Sequence, residues 1–160
     1  MHLSAGEGQS YWLINDRHTF KAVGAETGGA FAVSEVTALP GFGPPPHIHQ
    51  REDESFYVLE GEFEITYDGR TVTMGAGSFV HLPKGRLHMH RAVGSRPARI
   101  LALYAPAGVE RFIEEAGTPA TDGALPSGPP EMSALERIVA IAGKYGIEVP
   151  APPAAATAAG

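Results

Sequence analysis

Two histidines separated by one residue, His47 and His49, stand in the stretch PPPHIHQREDE, between a run of prolines and a cluster of acids. On a β-strand, residues two positions apart point to the same face, so the two imidazoles can reach one metal ion. Glu54 lies five positions after His49, which is the wrong parity for one unbroken strand. Residues 50–53 are therefore predicted to bend the chain and return the carboxylate to the same side.

A third imidazole, His88, opens a later strand-like run after the turn Pro83-Lys84-Gly85. Three imidazoles and one carboxylate form a mixed nitrogen and oxygen ligand set, which suits Ni, Fe, Co, Mn, Cu or Zn. Such a set leaves coordination positions open, as catalytic sites do. We predict one divalent transition metal per chain, and the ligand types do not select among these metals.

The composition of the chain excludes several classes of function. The 160 residues are 43% hydrophobic, which predicts one folded domain. The absence of cysteine excludes disulfides and a thiol nucleophile. The net charge of −6, without clustered Lys or Arg, argues against a nucleic-acid partner. No apolar run predicts a membrane span, and the N-terminus lacks the regions of a signal peptide, so we expect a cytoplasmic protein.

Short strand-like runs alternate with glycine- and proline-containing turns through most of the chain. In residues 62–67, Phe63, Ile65 and Tyr67 alternate with polar residues, which predicts a half-buried strand. The predicted strands are 11–14, 18–23, 30–39, 54–60, 62–67, 70–74, 78–82, 88–93 and 98–104. This pattern predicts an all-β sandwich or barrel over residues 1–108.

The last third of the chain changes character. Helical spacing of apolar residues predicts helices over 109–116 and 133–144. Ser133 and Glu136 have the spacing of a capping box at the start of the second helix. We predict that 109–150 form a helical extension packed on the barrel or on a dimer partner, with a proline- and glycine-rich surface linker at 118–130. Residues 151–160 are predicted to be a disordered tail.

Two motifs in the middle of the chain resemble those of the cupin superfamily. The first reads Gly41, five residues, His47-Ile48-His49, four residues, Glu54, six residues, Gly61. The second reads Gly77, five residues, Pro83-Lys84-Gly85, two residues, His88, and then Ala92 where the family has asparagine. The resemblance implies a jelly-roll β-barrel, also called a double-stranded β-helix, with short C-terminal helices. It also implies that His47, His49, Glu54 and His88 are the metal ligands.

Within the superfamily, the stretches GPPPHIHQREDESFYVLEGEFEI and FVHLPKGRLHMHR look like single-domain bacterial proteins of the quercetin 2,3-dioxygenase group. This resemblance implies an oxygenase that cleaves a flavonol or a similar aromatic or enolic substrate with O2. Two alternatives have the same barrel and stay open. One is a non-oxidative metal enzyme, such as a polyketide cyclase or an isomerase, and the other is a small-molecule-binding cupin without catalysis.

Glu54 has two candidate roles in this chemistry, a fourth metal ligand only or a ligand that also takes a proton from the substrate. If Glu54 faces inward, Phe56 and Val58 share its face, and His90 shares the face of His88. We therefore predict Phe56, Val58 and His90 in the substrate pocket. His18 carries no signal, and Glu52 is interpreted as part of a solvated bend. Because open sheet edges need covering, we also expect a homodimer.

Overall fold

The computed structural model describes residues 2–121 and 131–150. The predicted disordered tail and most of the predicted linker lie outside these residues. The strands are β1 (Ser10–Leu13), β2 (Asp16–Ala22), β3 (Ala32–Ala38), β4 (Ile48–His49), β5 (Asp53–Glu60), β6 (Glu62–Tyr67), β7 (Arg70–Gly75), β8 (Phe79–Leu82), β9 (His88–Val93), β10 (Ala98–Ala105), β11 (Thr118–Pro119) and β12 (Ile147–Glu148). The helices are α1 (Gly24–Thr27), α2 (Val109–Ala116) and α3 (Met132–Ala142), followed by a 3-10 turn at Gly143–Tyr145.

The strands form antiparallel sheets in a jelly-roll arrangement, which confirms the predicted fold class. One sheet has the order β11-β1-β2-β3-β10-β5-β8, and a second has the order β7-β6-β9. A third, short sheet pairs β12 with β4. Neighbours such as β10 and β5 are distant in sequence, so the sheets bring together side chains from the whole barrel.

The hydrophobic core fills the barrel interior. Phe63 and Ile65 of β6, which alternate with polar neighbours, are fully buried there, as are Phe56 of β5 and Ile100 of β10. Burying a side chain of this size contributes roughly 1.5–3 kcal/mol. Ala92, at the position of the motif asparagine, is fully buried in the same core. This chain therefore has an apolar contact where the family pattern has an amide.

The C-terminal helices pack over one end of the barrel. Helix α2 ends before Gly117, as predicted. The predicted capping box at Ser133 is wrong. Helix α3 begins at Met132 with Glu131 as its N-cap and has no side-chain capping bond, because Ser133 already lies inside the first turn. Arg137 of α3 donates to the last carbonyl of α2, that of Ala116, at 2.7 Å. This contact fixes the two helices against each other.

Two short strands from beyond residue 108 also join the barrel sheets. β11 pairs with β1 at the start of the predicted linker, and β12 pairs with β4 next to the histidine motif. The C-terminal segment is therefore continuous with the barrel through backbone hydrogen bonds. Among the described residues, no helix has the length and apolar character needed to cross a membrane.

Candidate metal centre

Backbone hydrogen bonds between the two histidine motifs position the imidazoles. The amide of His47 donates to the carbonyl of His88 at 2.9 Å, and the reverse bond is 3.0 Å. The amide of Gly85 donates to the carbonyl of His49 at 2.7 Å. Gly85 has a φ of 76°, a left-handed conformation that glycine adopts without strain. The turn before β9 thus holds His88 directly against the first motif.

The chain bends between β4 and β5, as the parity of Glu54 predicted. Gln50 and Arg51 form the bend, and β5 starts again at Asp53. The carboxylate of Asp53 accepts a bond from the amide of Lys84 at 2.9 Å, which ties the bend to the turn before β9. After this bend Glu54 points into the barrel and is only 3% exposed.

His47, His49, Glu54 and His88 come together as a buried cluster that could hold a metal ion. One ligand atom from each side chain lies within 4.8 Å of all the others. Two nitrogen or oxygen ligands on opposite sides of one transition-metal ion stand about 4 Å apart. The cluster therefore needs only a small contraction to place all four atoms around a single ion.

In each of the three imidazoles, Nδ1 points away from the cluster and lies beside a hydrogen-bond acceptor, which sets the tautomer of the ring. His47 and His88 each donate Nδ1–H to the carbonyl two residues earlier, at 2.9 Å. His49 pairs its Nδ1 with Oε1 of Glu52 at 2.6 Å. A neutral imidazole that donates through Nδ1 carries a lone pair on Nε2. The three histidines thus direct three Nε2 lone pairs into the cluster.

These lone pairs surround a carboxylate and require a positive charge. Nε2 of His88 lies 2.9 Å from Oε2 of Glu54, and Nε2 of His49 lies 3.7 Å from the same oxygen. Two lone pairs repel each other at 2.9 Å unless a proton or a metal ion stands between them. Imidazole nitrogen and carboxylate oxygen are both good ligands for divalent transition metals. The donor set therefore fits the metal that the sequence predicted.

The charge states of the cluster follow from burial and mutual contacts. Burial, followed by the neighbouring His49 and His88, lowers the pKa of His47 to about 3, so its imidazole is neutral at neutral pH. Burial opposes ionisation of Glu54. In the absence of a metal ion, a proton between Nε2 of His88 and Oε2 of Glu54 completes a hydrogen bond, which together with the nearby histidines outweighs burial and holds the pKa of Glu54 well below its usual range. Glu54 is therefore ionised.

His49 and its partner Glu52 correct one interpretation from the sequence. Burial lowers the pKa of His49, but the hydrogen bond to Glu52 and the charges of Glu54 and Glu52 give a net increase. Glu52, interpreted as part of a solvated bend, is only 3% exposed because the bend turns its side chain inward under His49. Carboxylates that hold metal-binding histidines in this way tune ligand orientation and basicity.

A cavity extends from the cluster toward the C-terminal helices. Its apolar walls come from Pro44 and Pro45, from β1, α2 and α3, and from the segment around β12. The polar lining consists of Asp16, His18, His90 and Tyr104 together with His47, His49 and Glu54 of the cluster. The space open to the centres of water molecules is about 80 Å³, room for several of them. The cluster thus lies at the floor of a small, largely apolar chamber.

The structure places the three predicted pocket residues differently from one another. His90 lines the cavity. Phe56 and Val58 are buried in the core and are not among the cavity-lining side chains. They do face inward as expected, but they lie about 7 and 13 Å beyond Glu54 along β5, where core side chains fill the barrel. Phe56 contacts the His90 ring at a centroid distance of 5.1 Å.

Three cavity residues have no role in the sequence prediction. Tyr104 stands directly opposite Glu54 in the pairing of β10 with β5. Burial and then the charge of Glu54 raise the pKa of Tyr104 well above its usual value, so its hydroxyl keeps its proton. Asp16 and His18 reach the cavity from β2. Alternating burial could have placed Tyr104 and His18 inside, but not beside the cluster, because that depends on strand register.

Comparison with known proteins agrees with the motifs. Residues 34–104 match the family model described as the cupin domain. Quercetin 2,3-dioxygenase of Bacillus subtilis (strain 168) is 28% identical over 117 residues, which cover 73% of this chain and 34% of that protein. Probable germin-like protein subfamily 2 member 5 of Arabidopsis thaliana is 30% identical over 97 residues, 58% of this chain and 45% of that protein. The chain thus spans less than half the length of these relatives.

Solved structures share the fold. The polyketide cyclase RemF from Streptomyces resistomycificus superposes with a TM-score of 0.59 at 20% identity, covering 66% of this chain and 78% of that chain. An RmlC-like cupin from Shewanella frigidimarina gives a TM-score of 0.58 at 19% identity, with coverages of 69% and 96%. At these identities the likeness concerns the barrel alone.

Proposed function

We propose that this chain, a member of the cupin superfamily, is a metal-dependent oxygenase similar to quercetin 2,3-dioxygenase, acting with O2 on a flavonol or a related aromatic or enolic substrate. The observation that carries the proposal is the buried cluster of three imidazoles and one carboxylate at the floor of an apolar cavity. The similarity to the Bacillus enzyme, which covers most of this chain, supports the reaction class.

His47, His49, Glu54 and His88 would hold the metal, which would supply Lewis-acid activation of a substrate oxygen. Glu54 is placed to accept the hydroxyl proton of an enolic substrate, since its carboxylate lies at the cavity floor. The phenol of Tyr104, protonated and directly across from Glu54, is placed to donate a hydrogen bond to the same substrate oxygen. These two side chains would then orient the reacting end of the substrate.

The apolar wall would hold the rings of the substrate and exclude water. Leu135, Ile138 and Val139 of α3 contribute to this wall, together with Leu13 and Ile14 near β1.

A non-oxidative reaction is the second candidate. Asp16, His18 and His90 bring three further ionisable side chains to the cavity. Such groups could move protons in a cyclisation or isomerisation that uses no O2.

Oxygen uptake tests the proposal. The protein would be loaded in turn with Ni, Fe, Co, Mn, Cu and Zn and mixed with quercetin and related flavonols. We expect uptake that is lost in Glu54→Ala and kept in Glu62→Ala, a matched control at an exposed glutamate. Substrate conversion without oxygen uptake would favour the second candidate, and tight binding without conversion under any metal would indicate a binding protein.

We also propose a homodimer formed through the open edge of the large sheet. β8 ends that sheet among the described strands. Phe79 of β8 and its cross-strand partner Tyr57 are 64% and 45% exposed. Twofold pairing of β8 with β8 of a second copy would satisfy the edge and cover both aromatic rings. The opposite edge strand of that sheet is β11, which has only two residues and offers little backbone for pairing with a second copy.

A further inference from the structure

A second group of polar side chains meets inside the cavity, separate from the four cluster residues. Asp16 and His18 come from β2, and His90 comes from β9. Oδ2 of Asp16 lies 3.3 Å from Nε2 of His90, and all three side chains are buried. None of them is needed to complete the candidate metal set.

Each member of this trio has a polar atom without a hydrogen-bond partner among the described residues. These atoms are Oδ1 of Asp16, Nδ1 of His18 and Nδ1 of His90. Leaving a buried donor or acceptor unpaired costs about 1–3 kcal/mol, and native proteins keep few such groups. Three of them in side chains that line one cavity indicate that a bound polar group completes their hydrogen bonds.

The trio stands close enough to the metal cluster for one molecule to reach both. His90 follows His88 by two residues on β9, which places it ~7 Å further along the strand. That distance is close to the span of one aromatic ring with oxygen substituents at both ends. The rings of Phe56 and Phe63 contact His90 edge-on at 5.1 and 6.1 Å, so its orientation is fixed.

The charges in the cavity select the chemistry of the bound group. No lysine or arginine is among the described side chains that line the cavity, and Asp16 and Glu54 are both acidic. Beside the trio, away from the metal cluster, the nearest charge is the carboxylate of Asp16, which would repel an anionic group. A hydroxyl group can donate to the carboxylate of Asp16 and exchange a second hydrogen bond with the imidazole of His18.

We propose that Asp16, His18 and His90 form a recognition site for a hydroxyl group of the substrate, at a position beside the metal cluster. The substrate is then an uncharged, hydroxylated aromatic molecule with oxygen at both ends, one at the metal cluster and one at Asp16. This inference rests on the proposed function for the identity of the cavity as the substrate site, but not on the use of O2.

Binding of flavonols to the zinc-loaded protein without oxygen tests the site. The probes are 3-hydroxyflavone and derivatives that each carry one more hydroxyl on a ring remote from the 3-hydroxyl. The wild type should bind one of the hydroxylated probes more tightly than 3-hydroxyflavone. Asp16→Asn should lower the affinity for that probe ~10-fold or more and leave the affinity for 3-hydroxyflavone unchanged. Asp68→Asn, at an exposed turn, serves as the control and should change neither.

Zinc content and thermal unfolding of each variant separate recognition from folding. If Asp16→Asn does not fold, His18→Phe removes the ring nitrogens, keeps a planar ring, and should cause the same selective loss. The proposal would be overturned if the folded, zinc-loaded variants lost affinity equally for all probes, or lost affinity for none of them. A wild type without preference for an added hydroxyl would overturn it as well. A clear preference without oxygen uptake would leave this site standing and reject the oxygenase.

Discussion

Replacing Glu52 by alanine should weaken metal binding although Glu52 does not belong to the candidate ligand set. Its Oε1 accepts the hydrogen bond from Nδ1 of His49 at 2.6 Å, and both side chains are buried. Without this acceptor the His49 ring loses its fixed orientation, and the basicity of its Nε2 falls.

The size of the effect follows from this one bond. A hydrogen bond to a charged group contributes about 1.5–3 kcal/mol, which corresponds to a loss of ~10- to 150-fold in metal affinity. Glu52→Gln keeps a carbonyl acceptor but loses the charge. Since charged hydrogen bonds are roughly twice as strong as neutral ones, glutamine should lose only ~3- to 12-fold.

Competition between the metal-free protein and a metal-binding dye would measure the affinity, with circular dichroism and thermal unfolding to confirm the fold. Glu62→Gln, at an exposed position on β6, is the matched control and should bind as the wild type does. The reasoning is refuted if folded Glu52→Ala binds metal within ~3-fold of the wild type. If glutamine is as harmful as alanine, a neutral acceptor does not hold His49, and the whole loss comes from the charge of Glu52.

Three further predictions concern the ligands, the pH dependence and the assembly. His49→Ala and His88→Ala should each lose bound metal in elemental analysis, and unchanged metal content in both would reject the ligand assignment. Burial lowers the pKa of His18 from 6.5 to about 4, so the unfolded state takes up this proton first as the pH falls. His18 alone should therefore lower the free energy of unfolding by up to about 3 kcal/mol between pH 6.5 and 4, and denaturant titrations should show a drop that is smaller by this amount in His18→Phe. The wild-type mass in light scattering should be twice 16.8 kDa, whereas Phe79→Glu should be monomeric; a monomeric wild type contradicts the dimer.

Local spacing in the sequence was sufficient to predict a β-sandwich or barrel and to bring His47, His49 and Glu54 to one side, whereas the motif resemblance implied the jelly roll and added His88. Alternation at period two predicted strands such as β6, whose bounds the structure reproduces. His47 and His49 share a face because they are two apart, and Glu54 needed a bend that the structure contains between β4 and β5. These features depend on backbone geometry over a few residues, which the order of residue types encodes directly.

The rest of the cavity was decided by contacts between distant parts of the chain. Asp16 and His90 are 74 positions apart and meet only because the two barrel sheets face each other. Tyr104 lies beside Glu54 because of the register of β10 on β5. Neither relation leaves a periodic signal in the sequence, since the pattern around an inward-facing polar residue is the same whichever residue of the neighbouring strand it faces.

The sequence by itself determined an all-β fold, the shared face of His47 and His49 and the bend before Glu54, because these are local in the chain. The motif resemblance added the jelly-roll class and the place of His88 in the ligand set. Only the tertiary structure decided that Glu52 supports His49, that α3 forms part of the cavity wall, and that Asp16 and His18 join His90. Those outcomes depend on which strands pair and on how helices pack across the barrel end, and hydrophobic packing fixes such relations only in the folded molecule.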